Sequence, residues 1–207
     1  MAQTKKLSAA ELLGAPPAPK RGRERLVATA NELFYHRGFN AVGIDQVIAE
    51  AGVSKTTFYK HFESKDELLV AAVEQRDRWE RDAWARAMVR LGGKSPRGQL
   101  LALFDVLDIW FNDPSFNGCI FINAASEFPN PNDPVHQAAA KHKHATRDHI
   151  RDLAARAKVL DPEAFADAYM ILFEGTLIMR QVHGRNDAAR IARGSIEALL
   201  DQHGATS

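Results

Sequence analysis

The apolar positions of this chain recur at helical spacing. Between Gly22 and Arg37, residues Leu26, Ala30, Leu33 and Phe34 mark one helical face, and Gly38 follows where a helix end favours glycine. After Phe39 and Val42, a short helix starting near Ile44 contributes Val47, Ile48 and Ala51 to an apolar seam that Val53 continues. Gly52 stands where a sharp turn needs positive φ, and Ser54 is placed to cap a second short helix running to about His61. Ser64 and Glu67 then form a capping-box pattern before a long stripe: Leu68, Leu69, Ala72, Val73, Trp79, Ala83, Ala87 and Met88. Gly92-Gly93 stops it after about 28 residues, a strut of roughly 42 Å at 1.5 Å per residue.

The remainder shows helical periods and loop punctuation but no strand-like alternation. Gln99–Phe111 is apolar nearly all round, which predicts a buried helix. NDPSFNG breaks it, a shorter segment runs from Cys119 to Phe128, and FPNPNDP makes another break. Val135 to about Ala157 is more polar and predicts a rim helix. Asp161-Pro162 opens a helix through Phe165, Tyr169, Phe173 and Leu177 to about His183, and the last runs from about Asp187 to His203 with small residues suited to close helix approach. Pro16, Pro17 and Pro19 block helix in the first twenty residues, which read as a mobile tail. The expected fold is all-α: a tail over 1–20, a three-helix module over 21–66, and a larger helical bundle over 67–207.

Composition sharpens this picture mainly through charge. The 207 residues carry a formal net charge of +1, yet ten Lys/Arg face six Asp/Glu through Lys65, leaving seventeen against twenty beyond it. The positive excess therefore lies with the N-terminal module, as a nucleic-acid-binding half requires. One cysteine, Cys119, rules out an internal disulfide and suits a reducing compartment. No signal-peptide pattern opens the chain and no apolar run approaches the ~20 residues that span a bilayer, so the cytoplasm is the expected location.

Two short helices meeting at AGVS are how a helix-turn-helix is built. The second concentrates Lys55, Thr56, Thr57, Tyr59, Lys60 and His61, with Lys65 beyond, groups suited to phosphates and base edges. Lys5, Lys6, Lys20, Arg21, Arg23 and Arg25 are additional candidates for phosphate contact. In the bundle, Trp110, Phe111, Phe121, Asn123, Glu127, Phe128, Tyr169, Phe173, Glu174, Thr176 and Arg180 combine apolar walls with a few polar groups, as small-molecule pockets do. Core packing explains the aromatics equally well. Glu174 and Arg180 on an apolar helix each need a partner, whether a ligand or a side chain of a second copy.

His136, His142, His144 and His149 lack the three- or four-residue spacing that sets two ligands on one helical face, so no metal is expected and they read as surface histidines. Cys119, with no cation near it in sequence, reads as a small buried hydrophobe. Asp105 and Asp108 are spaced for paired acid-base chemistry, but no nucleophile pattern or phosphate loop accompanies them. No enzyme activity and no cofactor are expected.

AGVSKTTFYKHFESKDEL, with Ala51-Gly52-Val53-Ser54, Tyr59, Phe62, Lys65 and Leu68 in place, resembles the signature of the TetR family of bacterial transcriptional regulators. The match is strongest from Arg25 to Leu69. The resemblance implies base and backbone contacts from Lys55, Thr56, Thr57 and Tyr59, and phosphate contacts from Lys60, His61 and Lys65. It also implies a homodimer through the last two helices, reading a near-palindromic operator with recognition helices about 34 Å apart. An unidentified small-molecule effector would bind in the bundle, tilt the strut and release the DNA, making the protein a repressor. Two positions depart from the family pattern: Gly43 replaces a capping Thr that touches phosphate, and Ile48 replaces a small Ala. A constitutive DNA-binding module without effector, and a small helical enzyme carrying a DNA module, are the competing readings.

Overall fold

The computed structural model describes residues 7–204, which form ten helices and no strand. They are α1 (Ala9–Leu13), α2 (Gly22–Arg37), α3 (Ile44–Ala51), α4 (Lys55–His61), α5 (Lys65–Gly92), α6 (Pro96–Phe111), α7 (Ile120–Glu127), α8 (Pro134–Arg156), α9 (Pro162–His183) and α10 (Ala188–Gln202). None is long and apolar enough to cross a membrane.

Local chemistry sets most boundaries. Ser54 Oγ accepts from Thr57 N–H at 3.1 Å and starts α4, while Gly52, at φ 62°, ends α3 in the left-handed region. Ser64 Oγ accepts from Glu67 N–H at 3.2 Å, but the Glu67 carboxylate reaches Glu63 N–H at 2.7 Å, one residue before the expected cap. Asp161 caps α9 through Ala164 N–H at 3.1 Å. Helix α6 begins three residues earlier than Gln99, because Ser95 caps it through Gly98 N–H and Pro96 suits the first turn.

The chain divides into two compact units. One comprises Pro16–Trp79 and Cys119–His144. Its core holds Leu26, Ala30, Phe34, Phe39, Val42, Val47, Phe58, Phe62 and Leu68, all nearly or fully buried. This unit runs past the expected boundary at residue 67. The three short helices bury too little surface alone, and the first half of α5, together with α7 and the start of α8, belongs to the same unit. Within it, His142 Nδ1 lies 2.9 Å from Asp77 Oδ1, and Phe121 stacks on the His142 ring at 3.5 Å. His142 is thus a buried residue rather than a surface one, because α8 turns this position toward α5 and α7.

The other unit comprises the chain up to Ala15, Glu80–Gly118, and the chain from Ala145 on. Helix α6 is enclosed as its all-round apolarity predicts, and α10 packs on both α6 and α9. Arg193 Nε lies 2.9 Å from Asp105 and Arg190 Nε 3.3 Å from Asp108, so this carboxylate pair binds α10 to α6. The expectation of a helix-free tail is corrected at α1. Ser8 and Glu11 close a capping box, Leu12 and Leu13 are buried, and Asp113 accepts from Ala9 N–H at 3.3 Å. The prolines lie beyond this helix and do not prevent it. Lys5 and Lys6 lie outside the described residues.

Candidate nucleic-acid interface

Helix α4 is amphipathic over barely two turns. Phe58 is fully buried, packs edge-on against Tyr59 and lies 5.7 Å from Phe62, so this side anchors the helix to the module core. The opposite side presents Thr56, Tyr59, Lys60 and His61 to solvent, with Tyr59 54% exposed. Residues 56, 59 and 60 share one face by helical spacing. An exposed tyrosine beside a lysine offers apolar surface, a hydroxyl and a charge together, a combination suited to a DNA groove.

Two of the predicted contact residues already have protein partners. Lys55 Nζ lies 3.1 Å from Asp45 Oδ1, and the hydrogen bond to Asp45 holds its pKa above the ordinary value. Thr57 is half-buried, with Oγ1 2.9 Å from Ser54 Oγ, which ties its hydroxyl into the cap. Lys65, half-buried, opens α5. Of the additional basic candidates, Arg23 is held over the Phe62 ring at 5.0 Å, while Lys20, Arg21 and Arg25 are exposed. Gly43, exposed, leaves α3 without a side-chain cap, whereas Ile48 is buried in the seam, so only the second departure acts on packing. A surface groove of about 490 Å³ beside α4 is lined by Arg23, His61, Phe62, Asp66, Glu67 and Glu74 among others; its carboxylates make it unlike an apolar effector cavity.

The predicted effector residues do not gather in one unit. Trp110, Phe111, Tyr169, Phe173, Glu174 and Arg180 belong to the unit built on α6, α9 and α10, whereas Phe121, Asn123 and Glu127 belong with the helix-turn-helix. Several are engaged by the protein itself. Tyr169, fully buried, donates to Leu100 O at 2.6 Å, and burial raises its phenol pKa well above 10. Arg180 Nε donates to Phe111 O at 2.9 Å while its guanidinium sits 4.4 Å from the Phe116 ring, so it has partners within its own chain. Trp110 packs against Phe116 and Trp84. Phe121 is committed to His142, and Glu127 to backbone amides of the α2–α3 connection. Glu174 is half-buried, with one carboxylate oxygen shielded from solvent.

Cys119 is buried as expected, but Lys143 Nζ approaches its sulfur at 3.5 Å, so a cation does lie beside it. This contact and the Asp77–His142 pair join residues far apart in the chain, and no local pattern announces them.

Comparison with known proteins agrees with this geometry. Residues 26–72 match the model for bacterial regulatory proteins of the tetR family, and residues 96–196 match the tetracyclin repressor-like C-terminal domain. The crystal structure of SCO4454, a TetR-family transcriptional regulator from Streptomyces coelicolor, superposes with a TM-score of 0.79 at 31% identity, covering 88% of this chain and 95% of that one. The HTH-type transcriptional regulator YjdC of Escherichia coli is 24% identical over 155 residues, 75% of this chain and 81% of its own. The HTH-type transcriptional repressor NemR of Escherichia coli is 27% identical over 123 residues, 58% of this chain and 60% of its own. With an exposed α4 face behind a capped turn, and a match that spans both halves of the fold, the chain belongs to the TetR family of DNA-binding transcriptional regulators.

Proposed function

We propose that the protein is a ligand-responsive repressor, binding a near-palindromic operator as a homodimer and leaving it when a small molecule occupies the α6–α9–α10 unit. The observation that carries the DNA-binding part is the exposed face of Thr56, Tyr59, Lys60 and His61 on a helix anchored by Phe58. Support for the dimer comes from α9 and α10, which leave Ile171 (74% exposed), Val182 (68%) and Ile191 (58%) in solvent. Gly175 and Gly194 on the same helices have open space above them, so a second backbone can approach closely. A hydrophobic surface of this kind marks an association site, and self-association through it gives the two-fold dimer that two half-sites need. The repressor assignment follows NemR, which carries that description.

The competing reading, a DNA-binding protein with no effector, draws on the satisfaction of Tyr169 and Arg180 within the protein. Selection of bound duplexes from a random pool, followed by footprinting, tests the operator; sequence-blind binding would count against it. A thermal-shift screen against apolar and mixed-polarity compounds tests the sensor. A ligand that raises the melting temperature and lowers operator affinity supports the repressor, and a screen with no stabilising compound favours the constitutive form.

A further inference from the structure

The carboxylate of Glu127, the last residue of α7, accepts hydrogen bonds from two successive backbone amides in the α2–α3 connection. Oε1 takes Phe39 N–H at 2.9 Å and Oε2 takes Asn40 N–H at 2.7 Å. Consecutive amides turned to one point form an anion-binding concavity, and here the chain supplies the anion itself. Bonds to an ionised acceptor are the strong kind. Gly38 leaves room for it: at φ 86°, a Cβ on this residue would lie 3.0 Å from Oε1. The inner side of the connection is pinned by Phe39 and Val42, both fully buried. Phe39 stacks on Phe34 at 5.2 Å and meets Phe128, the residue after Glu127, edge-on at 6.1 Å.

The connection ends at Gly43, which starts α3 without a side-chain cap. Helices α3 and α4 have only eight and seven residues, too short to hold a pose on propensity alone. Their orientation therefore depends on burial of Val47, Ile48 and Phe58 and on what fixes the ends of the connecting segments. Ser54 caps the start of α4, and no side chain caps the start of α3.

We propose that Glu127 is a positioning residue for DNA reading: its carboxylate sets the α2–α3 connection, and through it the pose of the α3–α4 pair, without touching DNA. The charge belongs to the protein's own framework and not to an effector site.

The test uses the full chain and a duplex it selects from a random pool, with binding measured well below the melting temperature. Glu127→Gln keeps the size and one acceptor, and Glu127→Ala removes both. Affinity should fall on the order of tenfold in the Ala variant and by less in the Gln variant. The slope of log K against log salt should be unchanged, because no phosphate contact is lost. Hydrogen exchange at the Phe39 and Asn40 amides should accelerate in the same order. Gly38→Ala, which forces a Cβ against Oε1, should produce the same phenotype from the other side of the contact. In a double-mutant cycle it should cost less in the Glu127→Ala background than alone. Unchanged affinity in Glu127→Ala would overturn the proposal, as would faster exchange with no loss of binding. An affinity loss accompanied by a shallower salt slope would do the same, since it would make Glu127 part of the phosphate contact network. Should Glu127→Ala not fold, Glu127→Gln and Gly38→Ala carry the same decision.

Discussion

Tyr169 and Lys60 stand for the two kinds of polar side chain in this protein, one closed off and one displayed. Tyr169 is fully buried and donates to the Leu100 carbonyl, so its phenol remains neutral in the native state. As pH rises above about 10, the unfolded chain ionises this tyrosine and the native state does not, so stability falls with rising pH. Ultraviolet titration should show one of the three tyrosines ionising only with unfolding. Tyr169→Phe should cost about 1–3 kcal/mol in denaturant titration and flatten the alkaline loss; an unchanged alkaline limb would show that another group controls it. Lys60 is exposed on the outer face of α4. Lys60→Ala should weaken binding to all duplexes alike and lower the salt slope by about one per bound protomer. Tyr59→Ala should instead change which bases are preferred. If binding curves for both variants match the parent, α4 is not the recognition helix.

Among the elements, α9 and α10 are the most exposed to substitution from outside. Ile178 and Val182 lie four residues apart on α9, 39% and 68% exposed, along the face that carries Ile171 and Gly175. In the proposed dimer a glutamate at either position would desolvate a charge at the contact, so Ile178→Glu or Val182→Glu should shift light-scattering mass from dimer to monomer, with helicity by circular dichroism unchanged. Retained dimer mass would move the interface elsewhere. The shorter elements show how far local pattern carries. Helix α4 was legible because Ser54 caps it and Gly52 precedes it within three residues. Helix α1 was not, because its stability comes from the burial of Leu12 and Leu13, from contact with α6 and from the Ala9 N–H hydrogen bond to Asp113, over a hundred positions away.

At the scale of the whole molecule, operator binding should fall steeply with salt, since the cationic groups of each N-terminal module displace counterions. In a dimer both modules contribute, so the slope measured for wild-type protein should be roughly twice that of a monomeric α9 variant. Equal slopes would mean that each protomer binds alone.

The sequence by itself determined the all-α class, nearly every helix boundary, the helix-turn-helix and the family, because these depend on periodicity, caps and turn residues within a few positions of one another. Gly52, Ser54 and Asp161 act where they stand. Only the tertiary structure decided which polar groups are already satisfied. Glu127 and Arg180 read as ligand contacts from composition, yet their partners are backbone groups at Phe39, Asn40 and Phe111. His142 read as a surface histidine until Asp77, 65 residues away, came beside it. A side chain's partner across such distances is set by how helices pack, and the local alternation of apolar and polar residues does not encode that.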